Sequence, residues 1–178
     1  MSGQAPGEAE TVRLRPLRLG DAAELIRANR ASRAFHLPWV EPPVDMPAFE
    51  VWFGQTLTGP NLALVAREPA AGAIVGVVNL SQIVWGVFRS AYLGYYAMGS
   101  FAGRGFMTEA LRQATGFAFD ELGLHRLEAN IQPGNVASLA LVRRLGFARE
   151  GFSPRYLRPG GEWRDHERWA LVRDQTAP

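Results

Sequence analysis

The chain has 178 residues, 47% of them hydrophobic, and it contains no cysteine. That length is typical of one domain with its own core, and a chain without cysteine has no disulfide bond, thiolate metal site or cysteine nucleophile. The formal net charge is only +2, and all 19 basic residues are arginine. No block of these arginines resembles a nucleic-acid-binding tail, so we expect no direct nucleic-acid partner.

Residues 1–10 are small, polar and acidic. They lack the basic start and apolar centre of a signal peptide and predict a disordered tail, followed by a single domain over 11–174. No uninterrupted apolar run reaches 18 residues, so we expect no membrane-spanning helix and a cytoplasmic protein. The three histidines are far apart in the sequence and lack metal-ligand spacing, so we expect no metal site.

Hydrophobic periodicity and the positions of glycine and proline define the expected elements. In chain order they predict a strand over 12–17, helices over 21–33 and 48–57, strands over 61–67, 74–83 and 91–98, a helix over 107–122, a strand over 127–131, a helix over 135–145, and strands over 148–156 and 162–173. Asp21 is predicted to cap the first helix. Strands that alternate with helices, with a hairpin at the end of the chain, predict an α/β fold with a mixed sheet.

A turn with two glycines, Gly103 and Gly105, connects the strand over 91–98 to the next helix. Glycine lets backbone N–H groups converge without a Cβ in the way, and the helix start adds unpaired donors and the positive end of the helix dipole. Such a turn is suited to a phosphate group, which predicts a cofactor with a pyrophosphate. The chain has no lysine and so no Walker motif, and it lacks the acidic ribose reader of a dinucleotide-binding fold.

Three segments extend this interpretation, because they follow one another in the same order as the motifs of a known family. They are Gly103-Arg104-Gly105-Phe106-Met107-Thr108-Glu109-Ala110, His125-Arg126-Leu127-Glu128-Ala129-Asn130, and Asn135-Val136-Ala137-Ser138 followed by Leu145-Gly146-Phe147. Together they resemble the GNAT superfamily of acetyl-CoA-dependent N-acetyltransferases, and within it the Rim-type branch that acetylates the N-terminal alanine or serine of ribosomal proteins. The resemblance implies acetyl-CoA as the cofactor. It also implies the GNAT fold, an α/β (α+β) arrangement with a mixed, mostly antiparallel central sheet of six to seven strands flanked by about four helices.

The resemblance further implies which residues hold the cofactor. These are Tyr96, Ala97, Met98, Ala102, Gly103, Arg104, Gly105, Phe106, Met107, Asn135 and Ser138. In the family, main-chain groups at the end of the preceding strand polarise the thioester carbonyl, and the turn holds the phosphates. Two positions depart from the family pattern Gln/Arg-x-x-Gly-x-Gly/Ala, because Ala102 replaces a polar residue and Met107 replaces a small one. Neither change removes a backbone N–H group.

Two side chains are expected to move protons. Glu128 matches an acidic position that similar enzymes have on the fifth strand, and it is predicted to be the general base, although a salt bridge with an arginine also explains a strand glutamate. A modest base suffices for an α-amino group, because neutralising it at pH 7 costs roughly 1 kcal/mol, against roughly 4–5 kcal/mol for lysine. Ser138 is predicted to protonate the leaving thiolate, since Val142 occupies the position of the family's usual tyrosine. Asn135 and Ser138 also form an ordinary capped helix start.

The acceptor slot is predicted from aromatic and acidic residues on two sides of the thioester. The expected substrate-binding residues are His36, Trp39, Trp52, Tyr156 and Asp165, with Glu41 as an alternative to Asp165. Ordinary packing explains the aromatic residues equally well.

The leading prediction is an enzyme that transfers acetyl from acetyl-CoA to a primary amine by direct attack in a ternary complex, with the N-terminal alanine or serine of a ribosomal protein as the acceptor. Two alternatives stay open. One is acetylation of a small amine such as an antibiotic or a polyamine. An acid-rich pocket favours a polyamine, whereas a shallow groove open at both sides favours a peptide. The other is a non-catalytic acyl-CoA-binding or interaction module. The chain is expected to be a monomer or a homodimer.

Overall fold

The structure is a computed structural model that describes residues 12–173. The tail predicted over 1–10 lies outside the described residues, as do residues 11 and 174 of the predicted domain. Seven strands form one sheet: β1 (Arg13–Pro16), β2 (Leu62–Arg67), β3 (Ile74–Val84), β4 (Ser90–Ala97), β5 (Arg126–Ile131), β6 (Ala148–Leu157) and β7 (Arg164–Val172). The helices are α1 (Ala22–Ala31), α2 (Arg33–His36), α3 (Met46–Thr58), α4 (Phe106–Gly116) and α5 (Val136–Arg144).

The strands lie in the order β1-β2-β3-β4-β5-β7-β6. Every neighbouring pair is antiparallel except β4 and β5, which run parallel. A parallel pair needs a crossover connection, and α4 provides it because it lies between these two strands in the chain. The prediction of an α/β fold with a mixed, mostly antiparallel sheet is therefore confirmed. A membrane-spanning helix needs a longer apolar stretch than any helix between residues 12 and 173 provides.

Helices cover both faces of the sheet. Successive side chains of a strand point to opposite faces, so neighbouring residues of β2 belong to different cores. Leu64 belongs to the hydrophobic core that includes Leu111 of α4. Its neighbour Val65 belongs to a second core, which includes Phe49 of α3. Each face of β2 is thus buried under its own helices, and the sheet forms the middle layer of the domain.

Asp21 precedes α1 but does not cap it, in contrast to the prediction. Its carboxylate accepts hydrogen bonds from Arg15 at 2.6 Å, from Arg67 at 2.8 Å and from the N–H of Arg18 at 2.8 Å, and it makes no capping bond to α1. Burial alone would raise the pKa of Asp21, but these hydrogen bonds outweigh burial and hold the pKa well below its usual range. The carboxylate therefore fastens β1, β2 and the start of α1 together.

β4 and β5 are paired over only three residues of each strand, from Ser90 opposite Arg126 to Tyr92 opposite Glu128. Beyond that point the two strands continue to residues 97 and 131 without pairing to each other. Main-chain groups at such a parting have no partner in the neighbouring strand. The space between the diverging ends is the candidate site.

Candidate active site

A cleft of about 620 Å³ opens between the diverging ends of β4 and β5 and reaches the first turns of α4 and α5. This volume is within the range of small-molecule sites in proteins. Among the described residues, no aspartate or glutamate lines the cleft. No group of three or more histidine, aspartate or glutamate side chains in the same part of the chain could hold a metal ion.

The turn between β4 and α4 has a backbone that favours glycine. Gly103 and Gly105 adopt φ angles of 73° and 83°, in the left-handed region where a Cβ is unfavourable. Gly105 is also the residue that precedes α4. These two glycines, which the sequence analysis singled out, therefore shape the start of the helix.

This turn also presents a row of free main-chain donors. Within the described chain, the N–H groups of residues 103–108 make no hydrogen bond. The N–H of Ala102, by contrast, donates to the carbonyl of Gly99 at 3.3 Å. The free donors therefore begin at residue 103, one position later than the predicted phosphate site.

Arg104 packs onto aromatic rings and does not line the cleft. Its guanidinium lies 5.3 Å and 4.8 Å from the ring centres of Phe101 and Phe106, which is within the range of cation–π attraction. Arg144 of α5 does line the cleft, and its Nη1 donates to the hydroxyl of Thr108 at 3.3 Å. This cation was not predicted from the sequence, although a pair of arginines precedes the Leu-Gly-Phe run.

Of the three main-chain positions predicted to polarise the thioester, Ala97 is the one that faces the cleft. The N–H of Met98 donates to the carbonyl of Val75 on β3 at 2.8 Å. Successive residues of a strand point their backbone N–H and C=O groups to opposite edges. The backbone groups of Tyr96 therefore also point to β3, whereas those of Ala97 point to the open edge. The carbonyl of Ala97 accepts a hydrogen bond from His36 Nε2 at 2.8 Å. Among the described residues nothing accepts a hydrogen bond from its N–H, which is a free donor beside the cleft.

Met107, the large residue that departs from the family pattern, is accommodated by a glycine on β3. A Cβ at Gly76 would lie 2.3 Å from Met107 Sδ and 2.7 Å from the carbonyl oxygen of Tyr96. Both distances are far shorter than real contacts, so the side chain of Met107 fits because residue 76 has none.

Ser138 lies in the first turn of α5 and lines the cleft. Its N–H donates to the side-chain oxygen of Asn135 at 3.2 Å, which confirms the predicted helix start. Its Oγ lies 2.6 Å from the hydroxyl of Tyr95 on β4. Burial raises the pKa of Tyr95 to about 12, against the opposing effect of the hydrogen bond to Ser138, so the phenol keeps its proton and can donate it to the serine.

Glu128 lies where β4 and β5 stop pairing, and it does not line the cleft. Its carboxylate accepts a hydrogen bond from Arg126 at 3.0 Å, and Arg126 also pairs with Glu150 of β6. This is the salt bridge that the sequence analysis gave as the alternative to a catalytic role. The position does not favour Glu128 as the general base, which stays a prediction.

On one side of the cleft, two of the three predicted acceptor residues line its wall. His36 and Trp39 are part of the lining, and Trp52 is not. The ring of Trp52 packs edge-on against Phe49, with the ring centres 5.9 Å apart. Packing of α3 onto the sheet therefore accounts for Trp52, and its predicted contact with substrate is not supported.

On the other side, the predicted residues lie outside the cleft and their neighbour lies in it. Neither Tyr156 nor Asp165 lines the cleft, and the carboxylate of Asp165 accepts a hydrogen bond from the N–H of Arg155 at 2.8 Å. His166, which is only 4% exposed, does line the cleft. No role for this histidine was predicted from the sequence.

Residues 11–148 match the family model described as an acetyltransferase (GNAT) domain. The chain therefore belongs to the GNAT acetyltransferase family. It is 40% identical over 111 residues to the ribosomal protein uS5-alanine N-acetyltransferase of Escherichia coli (strain K12), a match that covers 62% of this chain and 57% of that protein. The chain thus spans little more than half the length of this relative.

Two further comparisons cover more of each chain. The chain is 30% identical over 142 residues to the L-methionine sulfoximine/L-methionine sulfone acetyltransferase of Pseudomonas aeruginosa, which covers 78% of this chain and 80% of that protein. RimJ of Mycobacterium smegmatis in complex with CoA-disulfide superposes with a TM-score of 0.82 at 31% identity, over 94% of this chain and 84% of that one. The GNAT fold is confirmed, and the Escherichia coli and Pseudomonas aeruginosa relatives are named for different acceptors.

Proposed function

We propose that the chain transfers an acetyl group from acetyl-CoA to a primary amine, namely the N-terminal alanine or serine of a ribosomal protein. The observation that carries the proposal is one cleft that combines the free N–H donors of residues 103–108 with the free N–H of Ala97 and the hydroxyl of Ser138. Family membership and the 40% identity to the uS5-alanine N-acetyltransferase support it. A ribosomal-protein acceptor implies that the reaction takes place in the cytoplasm.

The residues of the turn fit the phosphate groups of acetyl-CoA, whose reactive thioester supplies the acetyl group. Free N–H groups at residues 103–108 and the positive end of the α4 dipole are suited to a pyrophosphate. Arg144 adds a cation beside Thr108, and guanidinium groups bind phosphate through charge-assisted hydrogen bonds. Arg104 is held on two aromatic rings and is not assigned a phosphate contact.

Two groups next to the turn are suited to the charges that develop during acyl transfer. The free N–H of Ala97 can donate to the acyl oxygen, as a donor in an oxyanion hole does. The hydroxyl of Ser138, held by Tyr95, can protonate the departing sulfur. The second contribution is modest, because a thiol has a pKa of about 8.5 and leaves easily as a thiolate.

The charge of the cleft favours an acceptor with a single amine. Arg144 is the one charged side chain among the described lining residues, and Glu41 lies at a neighbouring cavity of about 210 Å³. A polyamine would bring several positive charges into a cleft whose described lining offers no carboxylate to balance them. An N-terminal amine brings one charge, which it loses near neutral pH. Polyamines are therefore the less favoured acceptors.

A small α-amino acid derivative is the second candidate acceptor. It is supported by the relative named L-methionine sulfoximine/L-methionine sulfone acetyltransferase, of which the chain covers 80%. Such a molecule also carries a single α-amino group, so the charge of the cleft does not separate it from a peptide.

Thiol release from acetyl-CoA tests the proposal. The acceptors are peptides that begin with alanine or serine, the same peptides with a blocked N-terminus, L-methionine sulfone and spermidine. We expect release with the free peptides and none with the blocked ones. Release with L-methionine sulfone alone would establish the second candidate. Calorimetric binding of CoA with no release from any amine would instead support a non-catalytic module.

A further inference from the structure

Among the described residues, five side chains that titrate or carry charge line the cleft, and three of them are unsuited to accept a proton. The five are His36, Tyr95, Tyr96, Arg144 and His166. A guanidinium group is not a base. Burial raises the pKa of both tyrosines, so each phenol keeps its proton near neutral pH. The two imidazoles remain as candidates.

The ring of His36 has no lone pair open to the cleft. Its Nε2 lies 2.8 Å from the carbonyl oxygen of Ala97, and Nε2 must carry the proton because a carbonyl only accepts. The lone pair is then on Nδ1, which is buried and makes no hydrogen bond with the described residues. His36 is thus a donor to the main chain of β4, not an acceptor for an amine.

The ring of His166 has the reverse arrangement. Its Nδ1 lies 2.9 Å from the carbonyl oxygen of Arg164, so Nδ1 carries the proton and the lone pair is on Nε2. This Nε2 makes no hydrogen bond with the described residues, and it is not one of the buried polar atoms that lack a partner. Because the residue lines the cleft, the lone pair is open to the space where an acceptor would bind.

We propose that His166 is the general base of the acetyl transfer, an inference that rests on the proposed function. The nitrogen of the neutral amine forms a C–N bond with the acyl carbon of the thioester, and the C–S bond breaks. The proton that the nitrogen loses passes to Nε2 of His166, directly or through one water molecule. The departing sulfur takes the proton of Ser138. The imidazolium releases its proton to solvent, and solvent returns one to the serine.

The groups around His166 keep its ring neutral at pH 7. The ring centres of His166 and Tyr156 of β6 are 6.2 Å apart. On β7, Asp165 is the residue before His166, and Arg168 is two residues after it. Burial lowers the pKa of His166, and the carbonyl of Arg164 and the charge of Asp165 oppose this only in part. The lone pair is therefore available at pH 7 and is lost as the pH falls through that lowered pKa.

The test compares His166→Asn with the control His125→Asn. Asparagine retains an N–H that can donate to the carbonyl of Arg164 but has no basic nitrogen, and His125 is exposed and outside the cleft. We expect His166→Asn to lower kcat/KM for a peptide acceptor at pH 7 by about 10²- to 10⁴-fold, with unchanged CoA affinity. The loss should shrink at high pH, where hydroxide replaces the missing imidazole as the acceptor of the proton that the nitrogen loses. His166→Gln is the second variant, and the control should match the wild type.

The outcomes separate this inference from the proposed function. A fully active His166→Asn, or an equal loss at every pH, would overturn the role of His166 alone. Nitrogen NMR of the free wild-type protein gives a readout without turnover. We expect the Nδ1–H tautomer of His166, and the Nε2–H tautomer would overturn the inference. Absence of acetyl transfer by the wild type would overturn the proposed function and this inference with it.

Discussion

The hydroxyl groups of Tyr95 and Ser138 join β4 to α5 across 2.6 Å, and this contact can be removed without loss of bulk. Tyr95→Phe keeps the ring and leaves Ser138 on its helix without the group that orients its hydroxyl. We expect kcat to fall about fivefold, the equivalent of about 1 kcal/mol for one hydrogen bond, with little change in CoA affinity. Steady-state kinetics together with calorimetric CoA titration measures both.

Ser138→Ala is the control for this prediction. If Tyr95 acts through Ser138, the double variant Tyr95→Phe/Ser138→Ala should be no slower than Ser138→Ala alone, because partners in one contact are not additive. Losses that multiply would show that the two hydroxyls act independently.

Glu128 gives the second prediction at this scale, because its position disagrees with its predicted role. The side chain is bonded to Arg126 and lies outside the cleft. We therefore expect Glu128→Gln to change turnover by less than about threefold, since surface and strand salt bridges contribute little to a remote reaction step. Arg126→Gln breaks the same pair and is the matched control. A large loss with Glu128→Gln alone, measured as kcat at neutral pH, would restore Glu128 as the base.

At the scale of elements, α4 has a glycine near each end, and the two have opposite requirements. Gly105 has a φ of 83°, whereas Gly116 has ordinary helical geometry and open space around its Cβ position. We expect Gly105→Ala to reduce the free energy of unfolding by about 1 to 2 kcal/mol and to weaken CoA binding. Gly116→Ala should increase it by about 0.4 to 1 kcal/mol and leave CoA binding unchanged. Urea unfolding and CoA titration of both variants would contradict this if the two behaved alike.

The elements themselves could be predicted from local patterns, because periodicity and caps act over a few residues. Two details could not. The first helix, predicted over 21–33, ends at Ala31 as α1, and Ser32 separates it from α2, which continues to His36. The carboxylate of Asp21 is held by two arginines instead of capping α1, and one of them, Arg67, is 46 residues away in the chain. Both details depend on tertiary contacts, which no short window of sequence contains.

At the scale of the whole molecule, Asp21 links the stability of the domain to pH. Its pKa is lowered in the folded protein, so it stabilises the fold fully above the pKa of the unfolded chain, about 4. This contribution is lost as the pH falls from there through the lower folded pKa. We expect Asp21→Asn to reduce the free energy of unfolding by about 3 kcal/mol at pH 7, and the difference from the wild type to shrink below about pH 4. Urea unfolding across this pH range measures it.

Asp120→Asn is the matched control, because Asp120 pairs with Arg173 while its side chain is 68% exposed. The free energy of unfolding should change by less than about 0.5 kcal/mol. A pH-independent difference between the wild type and Asp21→Asn would contradict the proposed linkage.

The candidate site was predictable where its function depends on backbone conformation, and unpredictable where it depends on the direction in which a side chain points. Glycine at positions 103 and 105 reports the turn directly, since few other residues adopt that conformation. The choice between Arg104 and Arg144, or between Asp165 and His166, depends on which way a side chain points. Sequence spacing within one strand places neighbours on opposite faces but does not say which face meets the cleft.

The parting of β4 from β5 gives a strand in the middle of the sheet an unusual pattern of solvent access. Amide protons of central strands normally exchange with deuterium very slowly. The N–H of Met98, the residue after β4, is held by Val75 of β3, whereas that of Ala97, the last residue of β4, points into the opening. Deuterium uptake should therefore alternate between fast and slow along the last residues of this strand. A molecule seated in the cleft would reveal itself by protecting the fast positions and leaving the slow ones as they were.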